Sequence, residues 1–336
     1  MSATIRDVAK LAGVSVASVS RVLNSKGYIS TETKDKVEEA IKLLKYEPNQ
    51  VARSLTVKKT KTIALFVPDI TNPFFSTLAK GVEEQANSKG FTLILCNYDE
   101  SGGEKNSHID LIKQKYVDGI IFAAGKLNPR DAVKIKHSKI PLVALDRIPD
   151  METECVIFVD NYKGAKMAVE HLLDMGCKKI GHIYGPQEIS TARDRLLAYE
   201  DVMRDSPLYS PSLMTSGDFT IESGIEATKT LLERHPDLDG IFAGNDMMAI
   251  GALKALHRRG IKVPEQIAVC GFDGISLTEV TNPELTTVAQ PTYEIGKLAA
   301  ESLIKFISDL YFNEKIIKLD ASLVIRESTK KIGVKL

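Results

Sequence analysis

No apolar run in the 336 residues approaches the roughly 18 needed to cross a bilayer. Nor does the N-terminal stretch Met1-Ser2-Ala3-Thr4-Ile5-Arg6-Asp7 hold a basic segment followed by an apolar one, the mark of an export signal. A cytoplasmic chain without membrane contact is therefore expected. Cysteine is scarce: Cys96, Cys155, Cys177 and Cys270 form no C-x-x-C pair, and Cys96 and Cys270 end apolar strand-like runs, so buried reduced thiols are predicted. No His or Cys cluster has metal spacing, no G-x-G-x-x-G follows a strand, and no G-x-x-x-x-G-K-[ST] occurs. These absences argue against a metal, a nucleotide or any other cofactor. Net charge is also missing, because 44 basic and 44 acidic residues cancel. The cancellation hides an asymmetry, since residues 1–62 carry 12 basic and 6 acidic side chains and the remainder carries 32 and 38. A basic head on an acidic body predicts a polyanionic partner for the head alone.

What is present begins with three short amphipathic segments. Thr4 is a good N-cap, and Ile5, Val8, Ala9 and Ala12 fall at i, i+3, i+4 and i+7, one helical face. Gly13-Val14 turns the chain, Ser15 caps a second helix whose inner face is Val19, Val22 and Leu23, and a third starts near Glu32 behind Ser30 or Thr31. Two helices joined by a tight glycine turn, with a third closing a small core, predict a helix-turn-helix. Such a unit puts the start of its second helix in the major groove. On that geometry Val16 and Ala17 touch thymine methyls and Arg21 forks onto guanine, while Thr4, Ser15, Ser18, Ser20 and Asn24 suit phosphate contacts. Behind the head, Pro48–Leu55 reads as a helix of about eight residues, too short to be stable alone in water.

From residue 61 the grammar changes to alternating strands and helices, and the alternation restarts near residue 156. Two such halves predict an α/β body of two doubly wound parallel-sheet lobes with a cleft between them. Polar residues recur just past the strands' C-terminal ends, where open α/β sheets bind ligands: Asn72, Asp146, Arg147, Asn245 and Asp273, with Asn161, Arg195 and Gln290 in comparable positions and Phe74, Phe75 and Phe219 around them. Two carboxylates, two guanidiniums, four carboxamides and three aromatic rings suit a neutral polyol, with balanced charge disfavouring an anionic ligand.

The run Ile5-Arg6-Asp7-Val8-Ala9-Lys10-Leu11-Ala12-Gly13-Val14-Ser15-Val16-Ala17-Ser18-Val19-Ser20-Arg21-Val22-Leu23-Asn24, continued by Val51-Ala52-Arg53-Ser54-Leu55, closely resembles the headpiece of the LacI/GalR family of bacterial repressors. The resemblance implies that residues 48–55 form a hinge helix paired with its copy in the minor groove. Asn49 and Ala52 would contact DNA there, and Leu55 would lever open the central base step. It also implies an operator that is a pseudo-palindrome with a central CpG. Asn72-Pro73-Phe74-Phe75, Leu145-Asp146-Arg147, Asp160-Asn161, Ala192-Arg193-Asp194-Arg195, Asp218-Phe219, Gly244-Asn245-Asp246, Gly271-Phe272-Asp273-Gly274 and Ala289-Gln290 look like the motifs of periplasmic ribose-binding proteins. By that likeness the eleven polar and aromatic residues of the body are ribose contacts.

The organisation implied is a headpiece at 1–46, a hinge and linker at 47–60, one lobe from 61–161 with 291–322, and another from 162–290 with 323–336. The tail after Arg326 is too short for the three leucine heptads of the family's tetramers, so a homodimer is expected. The expected function is a sugar-responsive, non-enzymatic repressor of a sugar operon with ribose as effector. The rivals are a catabolite-type regulator with a phosphocarrier protein as corepressor, a repressor answering a different small molecule, and a pentose enzyme using Asp146 and Asp273 as acid and base.

Overall fold

The computed structural model describes residues 3–24, 28–46, 60–98, 109, 116–124, 127–145, 153–308 and 315–329. The chain divides into two units, residues 1–60 and 61–336. In the first, α1 (Ile5–Ala12), α2 (Val16–Asn24) and α3 (Thr31–Leu44) are each started by a hydroxyl cap. Thr4 and Asp7 form a reciprocal capping box, Ser15 Oγ accepts the Ser18 N–H at 3.0 Å, and Ser30 Oγ accepts that of Thr33 at 3.3 Å. Gly13, at φ 67°, takes the left-handed conformation that lets the chain leave α1 and enter α2 within a few residues. Val8, Ala9, Ala12, Val19, Val37 and Ala40 make the core, so the stripes read from the sequence are the buried faces.

The second unit holds two six-stranded sheets. Its strands are β1 (Thr62–Val67), β2 (Thr92–Asn97), β3 (Gly119–Phe122), β4 (Leu142–Leu145), β5 (Cys155–Val159), β6 (Ile180–Tyr184), β7 (Met214–Ser216), β8 (Gly240–Ala243), β9 (Ala268–Asp273), β10 (Thr286–Ala289), β11 (Ile316–Leu319) and β12 (Ser322–Val324). The sheet orders are β2-β1-β3-β4-β5-β11 and β7-β6-β8-β9-β10-β12, the same winding twice, and among the described residues only the β10–β12 pairing is antiparallel. Central strands are apolar runs because helices cover both faces of each sheet. The helices are α4 (Pro73–Ser88), α5 (Pro129–Ser138), α6 (Asn161–Asp174), α7 (Ser190–Met203), α8 (Ile221–Arg234), α9 (Asp246–Arg258) and α10 (Thr292–Ile307).

Since α10 packs on α4 over the first sheet, the chain returns from the second sheet after β10, then leaves again between β11 and β12. The strands β7, β10 and β11 escape sequence reading: they are short, two are rich in Ser and Thr, and β11 is an edge strand half exposed to solvent. The sequence of Glu104–Lys115 predicts a further helix, a stretch that, apart from Ile109, lies outside the described residues. All four cysteines are buried thiols, as their setting in the sequence predicts. Among the described residues no helix is long and apolar enough to cross a membrane.

Each lobe contains one helix pair in backbone contact. A Cβ on Gly224 would overlap the Met248 carbonyl, and one on Gly251 that of Ile221, which locks α8 against α9; Gly81 and Gly296 do the same for α4 and α10. Behind the second sheet, His182 is fully buried between Tyr199 and Phe242, ring centroids 4.9 and 4.7 Å away, with Nδ1 2.9 Å from the Phe242 carbonyl oxygen. Burial pulls its pKa from 6.5 down to about 4, the Phe242 bond opposing and the Arg195 charge assisting.

Two outcomes are expected in urea titrations of the full-length chain. Gly251→Ala should lower the stability of the two-lobed unit by about 1–3 kcal/mol, as overpacking does. Because the folded His182 resists a proton that the unfolded chain accepts, stability is retained above pH 6.5. It is lost as pH falls toward 4, by up to about 1.4 kcal/mol per pH unit from this residue. His182→Phe should flatten that part of the profile; an unchanged slope would show that the acid sensitivity originates elsewhere.

Candidate functional site

Seven of the eleven residues expected in the body meet around one cavity of about 210 Å³ between the two lobes: Asn72, Phe74, Phe75, Arg195, Phe219, Asn245 and Asp273. From the first lobe, Asn72 caps α4, its Oδ1 accepting the Phe74 N–H at 3.0 Å, and Pro73 supplies a fitting first helical residue. This start of α4 brings Phe74 and Phe75 to the cavity, their rings edge to face at 5.1 Å.

From the second lobe, Asn245 caps α9 through Oδ1, which accepts the Met248 N–H at 2.9 Å, and its Nδ2 donates to the Phe219 carbonyl at 3.2 Å. Phe219 stands at φ 70°, and a Cβ on Gly185 would overlap its ring, so the glycine that follows β6 makes room for the aromatic wall.

At the centre is Arg195, only 4% exposed. Its Nε donates to Asn161 Oδ1 at 2.9 Å and its Nη1 to the Gly244 carbonyl at 2.5 Å; Nη1 also lies 3.3 Å from Asp273 Oδ1. The guanidinium rests on the Phe272 ring at 3.8 Å, a desolvated cation–π contact. Asp273 is the last residue of β9 rather than a loop residue beyond it, at φ 113°. Its carboxylate also accepts Gln290 Nε2 at 2.9 Å, and its carbonyl accepts the Gln290 N–H at 3.0 Å.

The remaining four residues are placed differently. Gln290 lines an adjoining cavity of about 310 Å³ that shares Phe74 and Asp273, and its buried Oε1 has no hydrogen-bond partner among the described residues. Asn161 stands behind Arg195 and outside the lining, its Oδ1 on Arg195 and its Nδ2 donating to the Val159 carbonyl at 3.0 Å. Asp146 and Arg147 lie outside the described residues.

Sequence reasoning missed the rim. Asp69, Glu188 and Asp218 are exposed carboxylates that line the cavity, with Thr191 and Thr220 beside them. With Asp273 and Arg195 they leave the described lining acidic, not balanced as expected. Burial would raise the Asp218 pKa, but hydrogen bonds from Thr220 and Ser223 outweigh it and hold the carboxyl below its ordinary value. Asp69 and Asp218 each stand two residues past a strand, β1 and β7, and Glu188 stands four past β6, so the strand-end signal could have found them; β7 itself escapes sequence reading.

In the head, Val16, Ala17 and Arg21 are exposed on one face of α2, while Val19 is buried. Ser15 and Ser18 are joined through their hydroxyls at 2.9 Å, and the Thr4 hydroxyl donates to Asp7 Oδ2 at 2.7 Å, so these three build helix ends. Ser20 is half-buried, and Asn24 is the last residue of α2. Asn49, Ala52 and Leu55 lie outside the described residues.

Residues 4–49 match the model of bacterial regulatory proteins of the lacI family, and residues 60–326 match that of periplasmic binding proteins and the sugar binding domain of the LacI family. A ribose operon repressor of Halalkalibacterium halodurans is 43% identical, covering 97% of each chain. Among solved structures, a lac repressor dimer bound to operator and the anti-inducer ONPF aligns with a TM-score of 0.85 at 27% identity, over 98% of this chain and 99% of that one. A LacI family regulator from Enterococcus faecium with bound ribose aligns at 0.72 and 28%, over 80% of this chain and 98% of that one. With a three-helix head joined to two lobes of periplasmic-binding-protein type, this chain belongs to the LacI family of bacterial transcriptional regulators.

Proposed function

We propose that the chain is a homodimeric repressor of a ribose-utilisation operon, acting in the cytoplasm, with ribose as the effector bound between the lobes. The observation that carries this reading is the cavity itself: seven of the eleven residues expected to contact ribose line it, and an eighth, Gln290, holds an orphaned acceptor beside it. Phenyl rings suit the C–H faces of a sugar, and the carboxylate, guanidinium and carboxamides suit its hydroxyls. The small volume favours a monosaccharide. Likeness to a ribose operon repressor and to a regulator with bound ribose supports the same ligand.

The acidic rim adds selectivity against charge. Asp69, Glu188, Asp218 and Asp273 against Arg195 repel a phosphorylated sugar, and the Asp146–Arg147 pair would not alter that balance. On the head, Val16, Ala17 and Arg21 read base edges of a pseudo-palindromic operator, Thr4, Ser15, Ser18, Ser20 and Asn24 position the backbone, and Asn49, Ala52 and Leu55 act from the hinge. A two-fold operator calls for two copies of the chain. Ribose changes the angle between the lobes, the paired hinge segments lose their spacing, and the operator is released.

Calorimetric titration with ribose, ribose 5-phosphate and xylose tests the ligand. Ribose should bind, with the phosphate ester at least about tenfold weaker, roughly 1.4 kcal/mol; equal or tighter binding of the ester would contradict the reading. Arg195→Ala should abolish the ribose response and leave operator binding intact, whereas a variant that still releases operator would put the effector elsewhere. Leu55→Ala should weaken specific operator binding far more than binding to random DNA, and equal losses would remove the wedge.

A further inference from the structure

Asp246 opens α9 and is completely buried, yet it lines neither cavity. Its Oδ2 accepts the N–H groups of Gly274 at 2.7 Å and Ile275 at 2.9 Å, and its Oδ1 accepts the Thr287 hydroxyl at 2.6 Å. Room for this carboxylate is made in β9, where a Cβ on Gly271 would overlap Oδ1. A buried carboxyl group on three donors from two different segments is a costly feature to keep unless the donors need fixing, and burial together with the nearby Asp273 pushes its pKa up to about 8.

The two amides belong to the residues that follow Asp273. At φ 113°, Asp273 occupies backbone space that a side chain disfavours, so its neighbours must hold it there. The same short turn faces two ways. Asp273 lines the cavity and meets Arg195, while Ile275 is buried in the apolar cluster of the first lobe that contains Phe74 and Phe75. Met247, the residue after Asp246, packs against that cluster as well.

We propose that Asp246 is a positioning residue of the effector site: it clamps the Asp273–Ile275 turn, so that the carboxylate offered to the sugar and the apolar plug seated in the opposite lobe move as one piece. The clamp rests on the reading of the cavity as a sugar site only for its consequence. A sugar that pulls on Asp273 then acts on Ile275 and on the lobe contact without any flexible link between them.

The test uses the full-length protein, with ribose as probe, operator DNA as a second probe, and amide hydrogen exchange at Gly274 and Ile275 without ligand. Asp246→Ala should raise the ribose Kd about 30-fold and speed exchange of both amides at least about tenfold, while operator affinity stays within about twofold. Asp246→Asn should restore ribose binding to within about threefold, because one carboxamide oxygen accepts both amides and its NH₂ reaches Thr287. Thr287→Val removes one of the three donors at nearly constant volume and stands in if the alanine variant does not fold. It should raise the Kd about threefold and speed exchange modestly. Unchanged exchange in these variants, or equal losses of ribose and operator affinity, overturns the clamp. If the unaltered protein fails to bind ribose, the effector assignment falls, and exchange at the two amides still decides for or against the clamp.

Discussion

Everything around the cleft depends on keeping one guanidinium charged inside the protein. Stripping a cation of water costs several kcal/mol unless its donors and its charge are matched, and Arg195 meets that demand with Asn161 Oδ1, the Gly244 carbonyl, Asp273 and the Phe272 face. Each partner then has its own requirement. Asn161 needs the first turn of α6, Asp273 needs a strained backbone and the Gln290 amide, and Phe272 needs Gly164, whose Cβ would come within 2.9 Å of its ring. The site is therefore assembled from the ends of β5, β8, β9 and β10, which the parallel winding brings to the cleft between the lobes.

The repeated winding explains why two lobes share one cleft. Helix N-termini follow strand C-termini in both sheets, so the caps Asn72 and Asn245 arrive on opposite walls as a by-product of starting α4 and α9. Capping uses the single oxygen of each carboxamide, while the Phe74–Phe75 ring pair and the buried Arg195–Asp273 salt bridge stiffen the walls. Pre-organisation of this kind lowers the ordering cost of binding, which a small polar ligand would otherwise spend much of its affinity meeting.

The helical head was legible because its stripes, caps and glycine turn agree with one another, and Val8, Ala12, Val19 and Val37 are buried as spacing requires. Apolar central strands such as Gly119–Phe122 and Gly240–Ala243 were legible too, since parallel strands covered on both sides cannot be anything but hydrophobic. Two of the four edge strands were not: Met214–Ser216 and Ile316–Leu319 are short and take their order from the neighbour strand rather than from their own residues, and the inner strand Thr286–Ala289 was missed with them. Within the site, strand-end polar residues could be named, but not their depth. Asn161 looks from sequence like Asn72, yet it is consumed by Arg195; Glu188 and Asp69 look like ordinary surface carboxylates until folding sets them on the rim. Asp246 looks like a helix-start residue, and its long-range partners at Gly274, Ile275 and Thr287 come only from the fold.

A regulator of this family is a coupling between two ligands, and coupling obeys reciprocity: whatever factor the sugar imposes on operator affinity, the operator imposes on sugar affinity. The most direct measurement is operator affinity of the full-length protein at increasing ribose, paired with ribose affinity measured with and without operator. The account predicts that ribose weakens operator binding and that operator weakens ribose binding by the same factor. Ribose binding that leaves operator affinity unchanged would contradict it.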